Sequence, residues 1–584
     1  MTGRNGLDNV VDLDSASRRL DLLATPGLIP ILVFWDFAAA FPSIAHEYLM
    51  LCLRAAGLPA GFLNLVAAIY ERCEVYLNNE GLVTWLYTAL AGVLQGCPLS
   101  GTLFVIAIDP LLNLIKQYLK PLEIVCAFAD DLAAALRSLQ SLNAIARAFK
   151  VFKQISNLGI KASKCCIVPL GARLSLQRVE NIRNHLRAHL PDWAEFNIDD
   201  AAKYLGFHLG PGSAALMWRA PHDKFSKRAY QIAGSKLAPS LSIQQYNQRA
   251  MSVLQYIAQI YPIDPAILKN ERHYLQKQVH VLNYTFPINL MLRFGEVIGA
   301  TQPISMRALS YAARFRAARI TAGSWREWKT VLDTVHDDHA PLGWLSGEAH
   351  SNPWWTTPPV ADLMHEAFHG FPNEVSGLTN CLIDAPAVAI KKKLQGRIMP
   401  LILAELYPVD PVQLLLSRLA LWLPAACLSE LEAFQLQDSM KAIRTSPQHM
   451  RFVVLKTWCN GWTTDARAAQ IAAPCIFCAC PRDALSHIIS CPRLWEPVLN
   501  ALHLPRRMCA LSNLCLGPVG ADFKNRLIAL YAAFDIYHGH KNASATNLSS
   551  RVKYAVRLAT ARLAHVHDFL STQANLEIEG GFQR

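Results

Sequence analysis

Two short apolar runs, Glu123-Ile124-Val125-Cys126-Ala127-Phe128 and Leu132-Ala133-Ala134-Ala135-Leu136, are separated only by Ala129-Asp130-Asp131. That pattern predicts a β-hairpin with two consecutive acids at its tip. Neighbouring carboxylates repel, so the tip is either a solvated turn or a place where a cation offsets the repulsion. A second strand end favours the cation. Ile29 to Trp35 is almost continuously apolar, follows Pro26-Gly27 and reads as a buried strand, and Asp36 comes directly after it. If the two strand ends adjoin, three carboxylates share one edge of a sheet. Oxygen ligands at that density suit Mg²⁺ or Mn²⁺, and two such ions about 4 Å apart can activate a hydroxyl and hold a leaving phosphate.

Working outward, Ile44, Tyr48, Leu49 and Leu51 to Leu53 supply the apolar positions of a helix, and a second helix is predicted over 60–72. A hairpin over 73–90 turns at Asn78-Asn79-Glu80-Gly81. Gly96-Cys97-Pro98-Leu99-Ser100-Gly101 breaks the chain, Ser100 is placed to cap, and a helix runs over 102–119. A helix over 141–157 ends at Gly159, and strands follow at 165–170 and 203–209. From Ala214 the texture is helical, broken at Pro239, Pro262, Pro265 and Pro287, with a loop or linker at Trp354-Trp355. The expected class is an α+β front followed by a long helical back.

The 584 residues are 52% hydrophobic and only 17% charged, which excludes a largely disordered chain. Lys and Arg outnumber Asp and Glu by 12, a balance that suits a polyanionic partner. Fifteen Cys, mostly isolated in apolar runs, indicate a reducing compartment rather than a disulfide scaffold. Met1 to Asp8 has no apolar leader, and Asp36, Asp109 and Arg418 interrupt the most apolar stretches. Neither a signal peptide nor a transmembrane segment is expected, and no membrane partner.

Asp36-Phe37-Ala38-Ala39-Ala40-Phe41-Pro42-Ser43, then Gly92-Val93-Leu94-Gln95-Gly96-Cys97-Pro98-Leu99-Ser100, then Phe128-Ala129-Asp130-Asp131 resemble, in order and spacing, the palm motifs of reverse transcriptases of the non-LTR retrotransposon type. Gly159-Ile160-Lys161-Ala162-Ser163-Lys164 is similar to the family's Lys-bearing motif, and Lys203-Tyr204-Leu205-Gly206-Phe207 to its primer-grip strand. The resemblance implies a right-hand polymerase: an antiparallel palm sheet with helices and partial fingers over 1–212, a helical thumb over 213–300, a helical connector over 301–450 and a helical region over 501–584. It implies RNA-directed DNA synthesis on an RNA template and DNA primer from dNTPs, with Asp36 and Asp130 binding Mg²⁺ or Mn²⁺ and Asp131 supporting. Gln95 and Gly96 would line the template and nucleotide pocket. Phe41 would exclude a ribose 2′-hydroxyl or pack the strand–helix corner; Lys164 would face the triphosphate or be a solvated lysine. An intracellular, nuclear location is implied.

Thr2 to Val10 is similar to the family's second fingers motif, and no earlier fingers segment is matched, so the expectation is a chain truncated in the fingers. Arg4 is then the candidate clamp for the triphosphate. A catalytically inactive nucleic-acid-binding remnant is the alternative expectation, and an unrelated metal phosphohydrolase a third.

Over 451–500, Cys475-x2-Cys478-x8-His487-x3-Cys491 has the pairwise spacing of a tetrahedral Zn²⁺ site, with Cys480 a rival ligand. Trp458, Trp462 and Trp495 lie around it with Arg482 and Arg493; they either stack on nucleic acid or form the small domain's core. Arg219, Lys224, Lys227, Arg228 and Lys236 in the stretch Trp218 to Gln259 are candidate phosphate contacts.

Overall fold

A computed structural model of the protein describes residues 6–24, 27–171, 174–282, 284–320, 387–468, 473–505, 510–541 and 551–561. Arg4 and the Trp354-Trp355 linker lie outside the described residues. The chain divides into two compact units. One comprises Met1–Pro221, Ile257–Pro262 and Ala313–Gln395; the other comprises His222–Tyr256, Ile263–Ala312 and Gly396–Arg584.

The first unit begins with α1 (Gly6–Leu22) and β1 (Ile31–Trp35), followed by three helices, α2 (Ala40–Ser43), α3 (His46–Ala55) and α4 (Ala60–Tyr70). A hairpin of β2 (Glu74–Asn79) and β3 (Leu82–Thr88) precedes α5 (Ser100–Tyr118). Next come β4 (Ile124–Phe128), β5 (Asp131–Leu136), α6 (Ser141–Ser156), β6 (Cys166–Pro169) and α7 (Leu176–His189). Two-residue β7 (Asn197–Ile198) and the hairpin β8 (Ala202–Tyr204) and β9 (Phe207–Leu209) follow.

The five-stranded sheet runs β4-β5-β1-β6-β7. Every pairing in it is antiparallel except β6 with β7, so the sheet is mixed rather than the purely antiparallel one expected. All five residues of β1 are buried, because both faces of the central strand are covered; this is why it reads as a continuous apolar run and not as alternation. Ile31, Val33 and Trp35 face the helical core that α3, α5 and α6 supply. On the opposite face Phe34 meets Tyr204 of β8, with ring centroids 6.0 Å apart.

Local chemistry sets several boundaries. The β2–β3 turn holds Glu80 at φ 49° and Gly81 at φ 93°, the two positive values of a type I′ hairpin. Asn157, at φ 64°, takes the left-handed cap of α6, two residues before the glycine expected to end it. Ser100 is the first residue of α5 instead of its cap, and its Oγ donates to the Leu94 carbonyl. The single strand expected over 203–209 is a hairpin: Leu205 and Gly206 both have positive φ, so Tyr204 pairs with Phe207.

The second unit is helical, and among the described residues no strand follows Leu209. Ile398–Ala420 is long and apolar enough to cross a membrane by length and composition. The helix stops at Leu406, however, and restarts at Pro411 with Asp410 accepting from the Val412 amide at 3.0 Å.

Candidate active site and Cys/His centre

The sheet register brings the acids to one edge. Trp35 pairs with Leu132 across β1 and β5, so Asp36 and Asp131 are the next residues of the two chains at that edge. Phe128 pairs with Asp131 across β4 and β5, leaving Ala129 and Asp130 as a two-residue turn. Ala129 sits at φ 52°, where a Cβ costs about 1–2 kcal/mol, so the tip is held against a local preference. The electrostatics agree with the register: partial burial first, then the charges of Asp130 and Asp36, push the Asp131 carboxyl above its ordinary range.

The chain around Asp36 is fixed by the segment after α6. The Lys161 amide donates to the Asp36 carbonyl at 2.8 Å, the Ala38 amide to the Gly159 carbonyl at 2.8 Å, and Phe37 bridges to Ile160. These bonds set Lys164 beside the acid, with Nζ 3.4 Å from Asp36 Oδ1. The Asp36 amide donates to Cys165 Sγ at 3.4 Å; burial pushes that thiol up to about 11, so it is a neutral structural partner.

The other predicted residues are placed differently. Phe41 stacks on Phe104 of α5, centroids 4.5 Å apart and planes at 22°, the packing of the strand–helix corner. Gln95 and Gly96 are exposed on the loop before α5, with Gly96 at φ 90°. A glycine that sequence reasoning quoted but did not single out anchors that loop. Gly92 has φ 96°, its amide donates to the Ile44 carbonyl at 2.7 Å, and an added Cβ would lie 2.6 Å from the Pro42 carbonyl oxygen. Its signal was its place in the motif, next to Val93, whose amide donates to the Phe41 carbonyl at 2.8 Å.

Asn9 was also missed. Buried on α1, its Nδ2 donates to the Ala127 carbonyl at 3.0 Å and to the Tyr204 hydroxyl at 3.2 Å, tying the first helix to β4 and β8 two residues short of the acidic turn. Nothing in its local sequence marks it.

The carboxylates fit a divalent cation. Three oxygen donors crowd one edge, one of them holds its proton more tightly than usual through burial first and then the charges of the other two, and the neighbouring ion pair supplies a single positive charge.

In the second unit, donor atoms of Cys475, Cys478, His487 and Cys491 all lie within 4.8 Å of one another. Cys475 Sγ and Cys491 Sγ are 4.0 Å apart, close to the roughly 3.8 Å edge of a tetrahedron with 2.3 Å Zn–S bonds, and Cys478 Sγ is 3.1 Å from His487 Nε2. Cys475 and Cys478 lie on a turn, His487 on the short helix Leu485–Ile488, and Cys491 caps the helix Pro492–Ala501. Cys480, the rival, is outside this group and accepts the Cys475 amide through its carbonyl at 2.8 Å. The three tryptophans form core, not a stacking surface. Trp458, Trp462 and Trp495 are 0%, 1% and 3% exposed, and their ring N–H groups donate to the Leu514 carbonyl, Thr457 Oγ1 and the Ile488 carbonyl.

Comparison with known proteins bears on the first unit. Residues 8–209 match the family described as reverse transcriptase (RNA-dependent DNA polymerase). A stretch of 138 residues is 32% identical to the retrovirus-related Pol polyprotein from type-2 retrotransposable element R2DM of Drosophila melanogaster, covering 23% of this chain and 13% of that one. The transposon TX1 uncharacterized 149 kDa protein of Xenopus laevis is 31% identical over 177 residues, 28% of this chain and 13% of its own. The retrovirus-related Pol polyprotein from type-1 retrotransposable element R2 of Bradysia coprophila is 29% identical over 184 residues, 29% of this chain and 20% of its own. The chain thus spans between 13% and 20% of the length of these relatives. Residues 8–209 are a reverse transcriptase domain of the non-LTR retrotransposon type.

Proposed function

We propose that the protein is an RNA-directed DNA polymerase of a non-LTR retroelement, extending a DNA primer on an RNA template with dNTPs. The observation that carries this is the meeting of Asp36, Asp130 and Asp131 at one sheet edge inside a reverse transcriptase domain. In this reading the mixed sheet with its helices is the palm of residues 1–212, residues 213–300 form the thumb, and 301–450 connect to the 451–500 Cys/His segment and the 501–584 helical region. The basic residues of helix Arg219–Gly234 follow the primer–template backbone.

Asp36 and Asp130 hold Mg²⁺ or Mn²⁺, and Asp131 supports them. Those ions, when bound, supply Lewis-acid activation of the primer hydroxyl and charge neutralisation of the departing pyrophosphate. The strained turn at Ala129 and the Gly159–Lys161 bonds keep the carboxylates aimed before substrate arrives, so little reorganisation is left for the reaction. Lys164 offers an ammonium, on an exposed and flexible stem, at the place where the triphosphate's negative charge develops. Cys475, Cys478, His487 and Cys491 hold Zn²⁺, which fastens a turn to two short helices.

The decisive experiment is template-dependent dNTP incorporation by the full chain and by Asp130→Asn. Extension that the substitution abolishes is the expected result; extension undiminished in Asp130→Asn overturns the assignment. An inactive remnant is not favoured, since the acids and the bonds that aim them are all present, and it predicts salt-sensitive RNA binding with no extension.

A further inference from the structure

The first unit has a groove of about 980 Å³ that none of the three acids lines. One wall is α6 and the other is the end of α7 with the following turn, His189 to Trp193. Phe149 and Trp193, packed edge to face at 5.7 Å and both buried, make a rigid floor.

Arg147, Lys150 and Lys153 project along the helical wall at every third residue, all exposed. Among the described residues none of the three makes an ion pair, although Asp192 lines the same groove. Like charges three apart on a helix repel, so the row is costly to the isolated protein and is relieved by an anion. A helix rises about 1.5 Å per residue, which makes the row about 9 Å long, too extended for one phosphate and suited to successive phosphates of a strand. Asn143 and Gln154 flank the row with neutral donors and acceptors. Gly159 and Ile160 also line the groove, and Ile160 bridges Phe37, the residue after Asp36. A strand lying in it would run toward the carboxylate edge.

We propose that this groove is a second nucleic-acid track, gripping the phosphodiester backbone of a single strand outside the primer–template site. The inference rests on the reading of the chain as a nucleic-acid polymerase, yet it is read out by binding alone, without dNTPs or primer extension, so either can fail alone.

The test measures binding of a fluorescent single-stranded RNA oligonucleotide, and of DNA of the same sequence, to the full chain across a salt series. The triple variant Arg147→Gln/Lys150→Gln/Lys153→Gln should bind more weakly, with a log–log salt slope shallower by about 2. A charge-matched control, Arg54→Gln/Lys116→Gln/Lys120→Gln on the same unit, should keep most of its slope. If the triple variant misfolds on melting, Lys150→Glu alone replaces it and should shift the slope in the same direction. Loss of RNA binding, DNA binding or both supports the track and identifies the strand. Equal losses in groove and control variants, an unchanged slope, or a polyglutamate peptide that competes better than either oligonucleotide would overturn it.

Discussion

Lys164 and Asp36 form an ion pair across the end of the central strand, Nζ to Oδ1 at 3.4 Å, with both side chains about half exposed. A pair so open contributes little to stability, so its meaning lies in position. Lys164→Met should leave the melting temperature within a degree or two while slowing single-turnover incorporation by about 10- to 100-fold. A lysine that is only solvated would leave the incorporation rate unchanged.

The two positive-φ glycines before α5 should respond unequally to alanine. Gly96→Ala meets open space and bears only the backbone penalty, about 1 kcal/mol. Gly92→Ala adds a contact of 2.6 Å with the Pro42 carbonyl oxygen, where the backbone itself must shift. Its cost should exceed about 2 kcal/mol in urea unfolding. Equal costs would mean that the loop is free to relax around Gly92.

Metal content tests the Cys/His centre. The purified chain should carry about one zinc, lost in Cys478→Ser or His487→Ala and retained in Cys480→Ser. Because Cys491 caps the helix that buries Trp495, removing the metal with a chelator should also red-shift tryptophan emission. Zinc retained by Cys478→Ser but lost from Cys480→Ser would exchange the two ligands.

Glu271 gives the second unit a pH dependence. It is 2% exposed, and burial raises its carboxyl to about 7, against the bond it accepts from the Met306 amide. A carboxyl that holds its proton more tightly when folded contributes stability below its ordinary range, near 4.5, and loses it as pH rises toward 7. The loss is about 3 kcal/mol at most. Glu271→Gln keeps the acceptor and cannot ionise. Its melting temperature should therefore overtake that of the parent chain between pH 5 and pH 8, and parallel curves would show that Glu271 does not titrate in that window.

Legibility in the sequence followed the range of the interactions. The acidic hairpin was readable because its strands are adjacent and apolar, and the Cys/His cluster because two short spacings bring four donor atoms to one point. Phe41 and the three tryptophans were readable only as alternatives, since an aromatic ring beside a site looks the same in sequence whether it stacks on a ligand or on Phe104. The hairpin over 202–209 was missed as a single strand although Gly206 in mid-run was the available sign of a turn. Asn9 had no sign at all: its partners are 118 and 195 residues away, and only the fold makes it interior.

That last separation has a consequence for synthesis. A ribosome adds about 5–20 residues per second, so roughly 10–40 s pass between the appearance of Asn9 and that of Tyr204. Until then the first helix has made its apolar side without the partner that completes its seat. By this argument a holding chaperone should raise the yield of folded protein, and slow translation through residues 130–204 should lower it.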